Sequence, residues 1–415
     1  MKKVKSSSSS SSSSYCQRVS HVSELKYLPP EVWTQIFAIL RVKTLVRLRC
    51  VCKSWCSIID DPDFINIHLE LCSINVDKNK LLLSVQTFIK RRPRGCVYIM
   101  TVRRADTLGK PANIFKNPEY YSLRGNCDGL LLMCRTGLDH CPELTIWNLS
   151  CRKSLLLPPC PFPQFYNRLS DYICVFGFAS QSKDYKVILI TIERYEDPKA
   201  MMNFAVYTLS DQRWNVRNNG CGISHDYFKR MFESSPYRKF DCYFQGAAHW
   251  FGNDPCGDNG NYRIKHTHLV SLDFSSEKFT FMELPNTCDE QETFWFMFLI
   301  GESLAIFSIS HVSSNIWVLE QDSGKREWTL WFSGISSKAG FNLFKSHSRE
   351  NSVVFYYESV DGSRHLRCGT KSYNLADCRV QIHGKSIKCF RELQNYSESL
   401  VLHKGYGAED LPSFP

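Results

Sequence analysis

A unit of strand, polar turn and strand recurs five times in this 415-residue sequence, and it constrains the fold more than any other feature. In the first copy, the apolar run Ile146-Trp147 is followed by Cys151-Arg152-Lys153 and then by further apolar residues. Apolar runs separated by short polar turns are typical of β-hairpins. The five copies are centred on Trp147, Tyr207, Leu272, Val318 and Tyr373.

The spacing of the copies favours a β-propeller. Successive centres lie about 56 residues apart on average, close to the roughly 50 residues of a kelch blade. Most copies also follow another apolar run, so each supplies at least three of a blade's four strands. The flanks 80–120 and 385–403 supply a further blade that joins the two ends. We therefore predict an all-β, kelch-like propeller of six blades. Five or seven blades, or a large irregular sandwich, remain alternatives.

The segment 23–71 has the periodicity of helices. Leu28-Pro29-Pro30 suits a first helical turn, where the missing N–H of proline would be unpaired anyway. Two apolar stripes follow, separated by a break at 41–44, and a short third helix is predicted at 64–71. Such a small bundle cannot bury these stripes alone, so a protein partner is expected. The stripes contain Val32, Ile36 and Ile39, then Leu45, Leu48, Cys52, Trp55 and Ile59.

These patterns divide the chain into four segments. Residues 1–22 contain nine consecutive serines and form a predicted disordered tail. A small α-helical domain follows at 23–71, and a large β-propeller domain spans 80–405. Residues 406–415 are predicted to be a C-terminal tail.

The 19 cysteines indicate a reducing compartment, since no apolar leader is seen at the lysine-rich start of the sequence. The predicted location is therefore the cytoplasm, the nucleus or both. No C-x-x-C pair occurs, and Cys127, Cys134 and Cys141 have a spacing that fits no zinc site. Neither a metal nor another cofactor is expected. No apolar run approaches the length of about 18 residues that spans a bilayer, so no membrane partner is expected.

The formal net charge of +10 raises the question of a nucleic-acid ligand. Lysines and arginines are spread along the whole chain, and only Lys90-Arg91-Arg92-Pro93-Arg94 forms a compact run. Proteins that bind phosphate backbones usually concentrate their positive charge on one face. The pattern therefore favours a basic surface without such a ligand, and a nucleic-acid-binding propeller remains an alternative.

Two stretches resemble a known protein family. The run Leu28-Pro29-Pro30-Glu31-Val32 with Ile36-Phe37, continued by Leu45 to Trp55, resembles an F-box. The β region looks like the F-box-associated domain of plant F-box/kelch-type proteins. That likeness rests on Gly125 to Leu131, Trp147-Asn148-Leu149-Ser150, Phe176-Gly177-Phe178 and Asp184 to Val187. Arg41 departs from the family, which usually has proline there, and this change is expected to loosen a turn and weaken adaptor binding.

The resemblance implies the substrate-recognition subunit of an SCF-type (Skp adaptor–cullin–F-box) E3 ubiquitin ligase. The F-box would bind a Skp-family adaptor and, through it, a cullin and a RING subunit. The propeller would hold an unknown protein substrate, and the chain itself would not be an enzyme. An adaptor-bound protein outside a ligase is the alternative. The adaptor contacts carried over are Leu28, Pro29, Val32, Ile36, Leu45, Leu48, Cys52 and Trp55, some of which must belong to the internal core.

An enzymatic function has little support in the sequence. His249, beside Trp250 in an apolar strand, is a candidate base, but no Ser/His/Asp grouping, phosphate-binding glycine loop or H-E-x-x-H motif accompanies it. A Cys/His nucleophile pair is the remaining alternative. Specificity is predicted to lie in inter-strand segments such as 218–242 and 252–266, although the second is equally typical of a solvated loop.

Overall fold

The part of the chain that can be described begins at Leu28 and ends at Asp410, with gaps. The predicted serine-rich tail and most of the basic run at 90–94 lie outside it. The computed structural model describes residues 28–74, 81–90, 95–104, 113–117, 121–136, 142–162, 170–193, 203–217, 242–256, 263–285, 294–300, 303–309, 313–322, 325–335, 342–349, 352–360, 366–374, 380–383, 390–402 and 409–410.

Four helices form the N-terminal unit of the described chain, which we call the helical unit: α1 Pro30–Ala38, α2 Val42–Leu48, α3 Lys53–Ile59 and α4 Pro62–Ile74. The prediction of three helices was wrong, because the second apolar stripe belongs to two helices. At Cys52 the backbone is extended, and its thiol accepts a hydrogen bond from the N–H of Trp55, which caps α3. The turn keeps the stripe in phase, so periodicity alone could not show the interruption.

The stop predicted at residues 60–62 is confirmed. The helix α3 ends at Ile59, and Pro62 begins α4, where proline is tolerated in the first turn. The carboxylate of Asp61 accepts a hydrogen bond from the N–H of Asp63 at 2.8 Å and so caps α4. The short third helix predicted at 64–71 is thus the middle of a 13-residue helix.

The rest of the described chain is almost entirely strands, which agrees with the predicted all-β domain. Their bounds are β1 Leu81–Lys90, β2 Gly95–Arg104, β3 Asn113–Asn117, β4 Ser122–Cys127, β5 Leu130–Thr136, β6 Pro142–Asn148, β7 Lys153–Leu156, β8 Ser170–Ala179, β9 Asp184–Glu193, β10 Asn203–Thr208, β11 Arg213–Arg217, β12 Cys242–Phe244, β13 Ala247–Cys256, β14 Arg263–Asp273, β15 Phe279–Glu283, β16 Phe294–Ile300, β17 Ser303–Ile309, β18 Ser313–Asp322, β19 Lys325–Ile335, β20 Asn342–Arg349, β21 Ser352–Val360, β22 Leu366–Asn374, β23 Val380–His383, β24 Phe390–Tyr396 and β25 Glu409–Asp410.

The described strands form six antiparallel sheets, the number of blades predicted. Blade 1 has the order β24-β1-β2-β3, and blade 2 has the order β4-β5-β6-β7-β25. Blades 3 to 6 each take four consecutive strands, beginning with β8, β12, β16 and β20. The five predicted hairpins are the third and fourth strands of blades 2 to 6, as in the pairing of Tyr207 with Trp214.

The two ends of the β region meet in blade 1, as the flanks 80–120 and 385–403 predicted. The strand β24 pairs with β1 from Leu81↔Tyr396 onward, so the last strand completes the first blade. It also lies beside β20 of blade 6, which closes the ring of sheets. The predicted C-terminal tail is not wholly separate from this domain, because Glu409–Asp410 pairs with β7 at the outer edge of blade 2.

The turns within blades 2 to 6 occupy two opposite ends of the sheets. In each of these blades, the turn between strands one and two lies at the same end as the turn between strands three and four, and the connection between strands two and three lies at the other end. Hydrogen bonds join neighbouring blades at the first of these ends, as from Tyr185 Oη, near the start of β9, to Asp128 Oδ2 in the turn after β4, at 3.1 Å. We call this end the turn face and the other end the loop face.

None of the described helices has the length and apolar composition needed to cross a bilayer.

Candidate functional site

The helical unit has a core of its own, and this core separates the predicted adaptor contacts into two groups. Phe37, Leu45 and Ile59 are buried within it. The ring of Trp55 packs at 5.3 Å from Phe37 and 4.8 Å from Trp33, measured between centroids. Arg49 joins the end of α3 through hydrogen bonds of 2.5 and 2.7 Å to the carboxylate of Asp60. The unit is therefore packed and does not depend on a partner for its whole core.

Leu45 does not belong to an exposed contact surface. Its accessible fraction is 0%, and it packs with the buried residues of α1 and α3. The prediction that it contacts an adaptor is corrected for this reason. Leu48 and Trp55 are half-buried and pack against the same core, so each can present only part of its side chain. The periodicity did not distinguish these three residues, because it shows which side of a helix is apolar and not what covers that side.

The other five predicted residues keep accessible surface. Leu28, Pro29, Ile36 and Cys52 are exposed, and Val32 is partly exposed. Their positions in α1, before it and at the cap of α3 are consistent with an open apolar surface on the helical unit. Adaptor contact by these residues remains a prediction.

Sequence reasoning missed three exposed apolar residues. Ile39 is 78% exposed at the C-terminal end of α1, and Val51 is 60% exposed in the turn before α3. Ile67 is exposed on α4. Ile39 belonged to the first apolar stripe but was not selected, and Val51 lies outside the second stripe, in a turn that the periodicity did not reveal. Large apolar side chains without cover commonly mark a docking surface when they are contiguous.

Arg41, at the position where the family usually has proline, has a backbone conformation that proline could also adopt. Its φ is −69°, inside the range that the proline ring imposes. Its carbonyl oxygen accepts hydrogen bonds from the N–H groups of Thr44 and Leu45 at 2.9 and 3.1 Å, which begins α2. The turn is therefore formed with arginine, and the expected weakening of adaptor binding remains a prediction.

The helical unit is mounted on the turn face of blade 2. Cys151, in the turn between β6 and β7, and Leu400, after β24, are buried in the same apolar cluster as the helices. From the other side, Ile65 and Leu69 of α4 pack against the core between blades 2 and 3. The two domains thus share apolar contacts, to which α4 contributes Ile65 and Leu69.

Asn148 stabilises the contact between the helical unit and blade 2, which we call the mount. It lies in the Trp147-Asn148-Leu149-Ser150 motif on which the family resemblance rests. Its buried side-chain amide donates to the carbonyl oxygens of Ser399 at 2.9 Å and Val401 at 2.6 Å. Its Oδ1 accepts from the N–H groups of Ser150 at 2.8 Å and Cys151 at 3.1 Å. One side chain therefore ties the β6–β7 turn to the segment that follows β24.

Gly129 lets the same segment approach the turn between β4 and β5. It has φ +75°, and a Cβ there would lie 2.2 Å from the carbonyl oxygen of Ser397. Asp128 before it also has a positive φ of 49°, the pattern of a two-residue type I′ hairpin turn. The Asp128-Gly129 pair thus makes a tight turn and leaves room for the chain that holds the helical unit.

The segments expected to carry specificity begin and end at the loop face. The first, 218–242, connects β11 to β12, and its residues 218–241 lie outside the described part of the chain. The second, 252–266, is shorter as a loop than predicted, because β13 continues to Cys256 and β14 begins at Arg263. Both connections therefore start on the side of the propeller opposite the mount, and their binding role remains a prediction.

His249 is a buried structural residue in this fold. Its Nε2 donates to the carbonyl oxygen of Phe244 at 3.1 Å, so its Nδ1 accepts from the hydroxyl of Ser271 at 2.7 Å. Burial lowers the pKa of His249 to about 4, although the Phe244 carbonyl partly opposes this. Within the described ranges, no group of three or more His, Cys, Asp or Glu is placed to hold a metal ion.

Two family descriptions match this chain. Residues 25–66 match the family described as "F-box domain", and residues 97–402 match "F-box associated beta propeller domain". Three Arabidopsis thaliana proteins named as F-box proteins are similar. The F-box protein At3g23260 is 22% identical over 63% of this chain and 65% of its own length. The F-box/kelch-repeat protein At3g23880 is 21% identical over 73% of this chain and 78% of its own length. The F-box protein At2g07140 is 24% identical over 64% of this chain and 63% of its own length. The match thus spans less than two thirds of the first and third relatives.

Proposed function

Because this chain belongs to the family of F-box proteins with an F-box associated β-propeller domain, we propose that it is the substrate-recognition subunit of an SCF-type E3 ubiquitin ligase. F-box domains in general bind Skp-type adaptors. In this proposal the helical unit binds such an adaptor, and a cullin and a RING subunit follow through it. The propeller holds a protein substrate.

The observation that carries the proposal is the way the helical unit divides its apolar surface. The face formed with Cys151 and Leu400 is buried against blade 2. Leu28, Ile36 and Ile39 remain exposed although the unit already has a core and a mount. An apolar set of this kind on a packed unit supports a further protein partner. The exposed residues would supply the anchors, and Trp55 would contribute its accessible edge.

We propose that the chain acts without catalysing a reaction. A receptor of this kind raises the effective concentration of a substrate lysine near the ubiquitin thioester carried by other subunits. The candidate base His249 is enclosed between Phe244 and Ser271 and has no carboxylate among its hydrogen-bond partners, which supports a structural role. The proposed location is the cytoplasm, the nucleus or both.

Retention of a purified Skp-family adaptor by the full chain tests the proposal. A Leu28→Ala, Ile36→Ala double variant should lose most adaptor binding, because truncating central interface anchors costs about 2 kcal/mol or more. Leu156→Ala is the matched control, since Leu156 is an exposed leucine on β7 of the propeller. Equal retention by the wild type and both variants, or no retention by the wild type, would contradict the proposal.

A second function, an adaptor-bound protein outside a ligase, is separated by a further step of the same experiment. The adaptor complex is mixed with a cullin and its RING subunit and passed through a size-exclusion column. Co-elution of all four proteins supports the ligase subunit. Adaptor binding that blocks cullin binding would favour the second function.

A further inference from the structure

Arg124 lies in the innermost strand of blade 2 at an irregular point of the sheet. In the pairing of β4 with β5, Leu123 lies opposite Met133 and Gly125 lies opposite Leu132, so Arg124 is an extra residue without a partner in the register. Such bulges turn a side chain away from its regular direction and are common beside binding sites. The bulge aims Arg124 toward the neighbouring blade 3.

Among the residues that the structure describes, the guanidinium of Arg124 contacts no carboxylate. Its Nη2 donates to the hydroxyl of Tyr172 at 3.4 Å, and its Cζ lies 5.5 Å from the centre of the Tyr172 ring. Burial lowers the pKa of Arg124, but Tyr172 and the thiols of Cys134 and Cys174 outweigh burial and raise this pKa, and Cys134 also forms a side-chain hydrogen bond with the guanidinium. Its buried Nε lacks a hydrogen-bond partner of normal geometry. Within the described part of the chain, this partly buried cation therefore has hydroxyl and thiol neighbours, whereas buried charges are normally paired with an opposite charge.

The thiols do not supply the missing negative charge. Burial raises the pKa of Cys174 well above its ordinary value, so this thiol stays protonated at neutral pH. The sulfur of Cys134 lies 3.3 Å from the Tyr172 hydroxyl, at hydrogen-bond distance. A second arginine of the same blade differs from Arg124, since Arg135 on β5 pairs with the carboxylate of Glu143 at 2.8 Å. Among the described residues, Arg135 thus has a carboxylate partner and Arg124 has none.

The position of the pair suits a ligand that approaches from the loop face. Tyr172 is the third residue of β8, far from the tight turn after Ala179. Arg124 likewise lies toward the start of β4, away from the Asp128-Gly129 turn. Both therefore lie toward the end opposite the helical unit, and Arg124 keeps partial solvent exposure.

We propose that Arg124 and Tyr172 form an anion-binding site between blades 2 and 3 that accepts one carboxylate group from an acidic side chain of the protein substrate. The inference rests on the proposed receptor function. Arginine is suited to carboxylates because its N–H groups form a planar fork, and the Tyr172 hydroxyl adds a further donor. A single cation balances a carboxylate, whereas a phosphate dianion would call for a second cation, and the groups of the described chain that interact with Arg124 include none.

The first test measures binding of a fluorescent hexaglutamate peptide to the full chain by anisotropy at fixed ionic strength. Arg124→Gln should weaken binding about tenfold, the equivalent of about 1.4 kcal/mol. Arg213→Gln removes the same charge at an exposed position of β11 and should change binding less than twofold. Equal losses in both variants would show attraction to the overall positive charge and overturn the site. Absence of measurable hexaglutamate binding would also overturn it.

Two further measurements test the nature of the site and the role of Arg124. Inorganic phosphate and acetate are compared as competitors, and stronger displacement by phosphate would overturn the carboxylate assignment. Arg124→Met should raise Tm, because it removes a partly buried charge that no carboxylate of the described chain pairs, whereas an arginine that serves only the fold would lower Tm when replaced. Adaptor retention by Arg124→Gln is measured in parallel and should be unchanged. If the wild type binds hexaglutamate but does not bind the adaptor, the receptor function is overturned and the anion-binding site still stands.

Discussion

Asn148 Nδ2 donates to the carbonyl oxygen of Val401 at 2.6 Å, across 253 residues of sequence. This bond and the one to Ser399 hold the chain after β24 against the turn of blade 2 on which the helical unit is mounted. A single buried amide thus connects ring closure with the position of the F-box. The mount, and not the blade repeat alone, determines where the two functional surfaces lie.

Replacing Asn148 should destabilise the protein strongly. Asn148→Ala leaves buried carbonyl and N–H groups without partners, and we expect a loss of about 3 kcal/mol in the free energy of unfolding. Urea unfolding followed by tryptophan fluorescence measures it. Asn215→Ala is the control, since Asn215 is exposed on β11 and should change stability by less than about 0.5 kcal/mol. Similar values for both variants would contradict the role of Asn148.

Gly129 and Gly246 form a matched pair that separates steric clash from backbone strain. Both have φ +75°, but a Cβ at Gly129 would lie 2.2 Å from a backbone oxygen, whereas at Gly246 the nearest atom would lie 3.9 Å away. Gly246→Ala should cost only the left-handed backbone penalty of about 1–2 kcal/mol. Gly129→Ala should cost at least about 2 kcal/mol more. Thermal unfolding of the two variants measures the difference, and equal costs would show that the segment at 397–399 moves aside freely.

Leu45 and Ile36 should respond differently to truncation, although both belong to the apolar stripes. Leu45→Ala creates a cavity in the core of the helical unit and should lower its stability by about 2–5 kcal/mol. Ile36→Ala should leave unfolding almost unchanged and weaken adaptor binding. Unfolding curves and adaptor titrations on the same preparations test this. An Ile36→Ala variant as unstable as Leu45→Ala would place Ile36 in the core.

His249 should make stability depend on pH between about 6.5 and 4. Burial lowers its folded-state pKa to about 4 from an ordinary value of 6.5. The unfolded chain therefore binds the proton first, so the stabilising effect is complete above about pH 6.5 and is lost as the pH falls toward 4. The loss approaches about 1.4 kcal/mol per pH unit in this window.

His249→Gln provides the comparison for that pH profile. Glutamine retains a donor for the Phe244 carbonyl but does not titrate, so the variant should lack the part of the slope that His249 contributes. Urea midpoints of both proteins are measured from pH 7 to pH 4. Identical slopes in the two proteins would mean that His249 titrates normally and is accessible to water.

Several parts of the fold followed from the sequence because they depend on local patterns. The hairpins at Trp147 and Tyr207 were predicted because apolar runs flank a polar turn, and both are the third and fourth strands of blades. The sixth blade was predicted because the terminal strands needed a partner. The division of α2 from α3 could not be predicted, since the turn before Lys53 preserves the phase of the apolar stripe.

The sequence by itself determined the strand repeat, the six blades and the F-box, because these reside in the order of apolar and polar residues along the chain. The tertiary structure alone decided which stripe residues face outward, since Leu45 and Ile36 have the same periodicity and differ only in what covers them. It also decided that Asn148 reaches Val401 and that Arg124 meets Tyr172. Such contacts join residues that are distant in sequence, and only the folded chain specifies their distances and their burial.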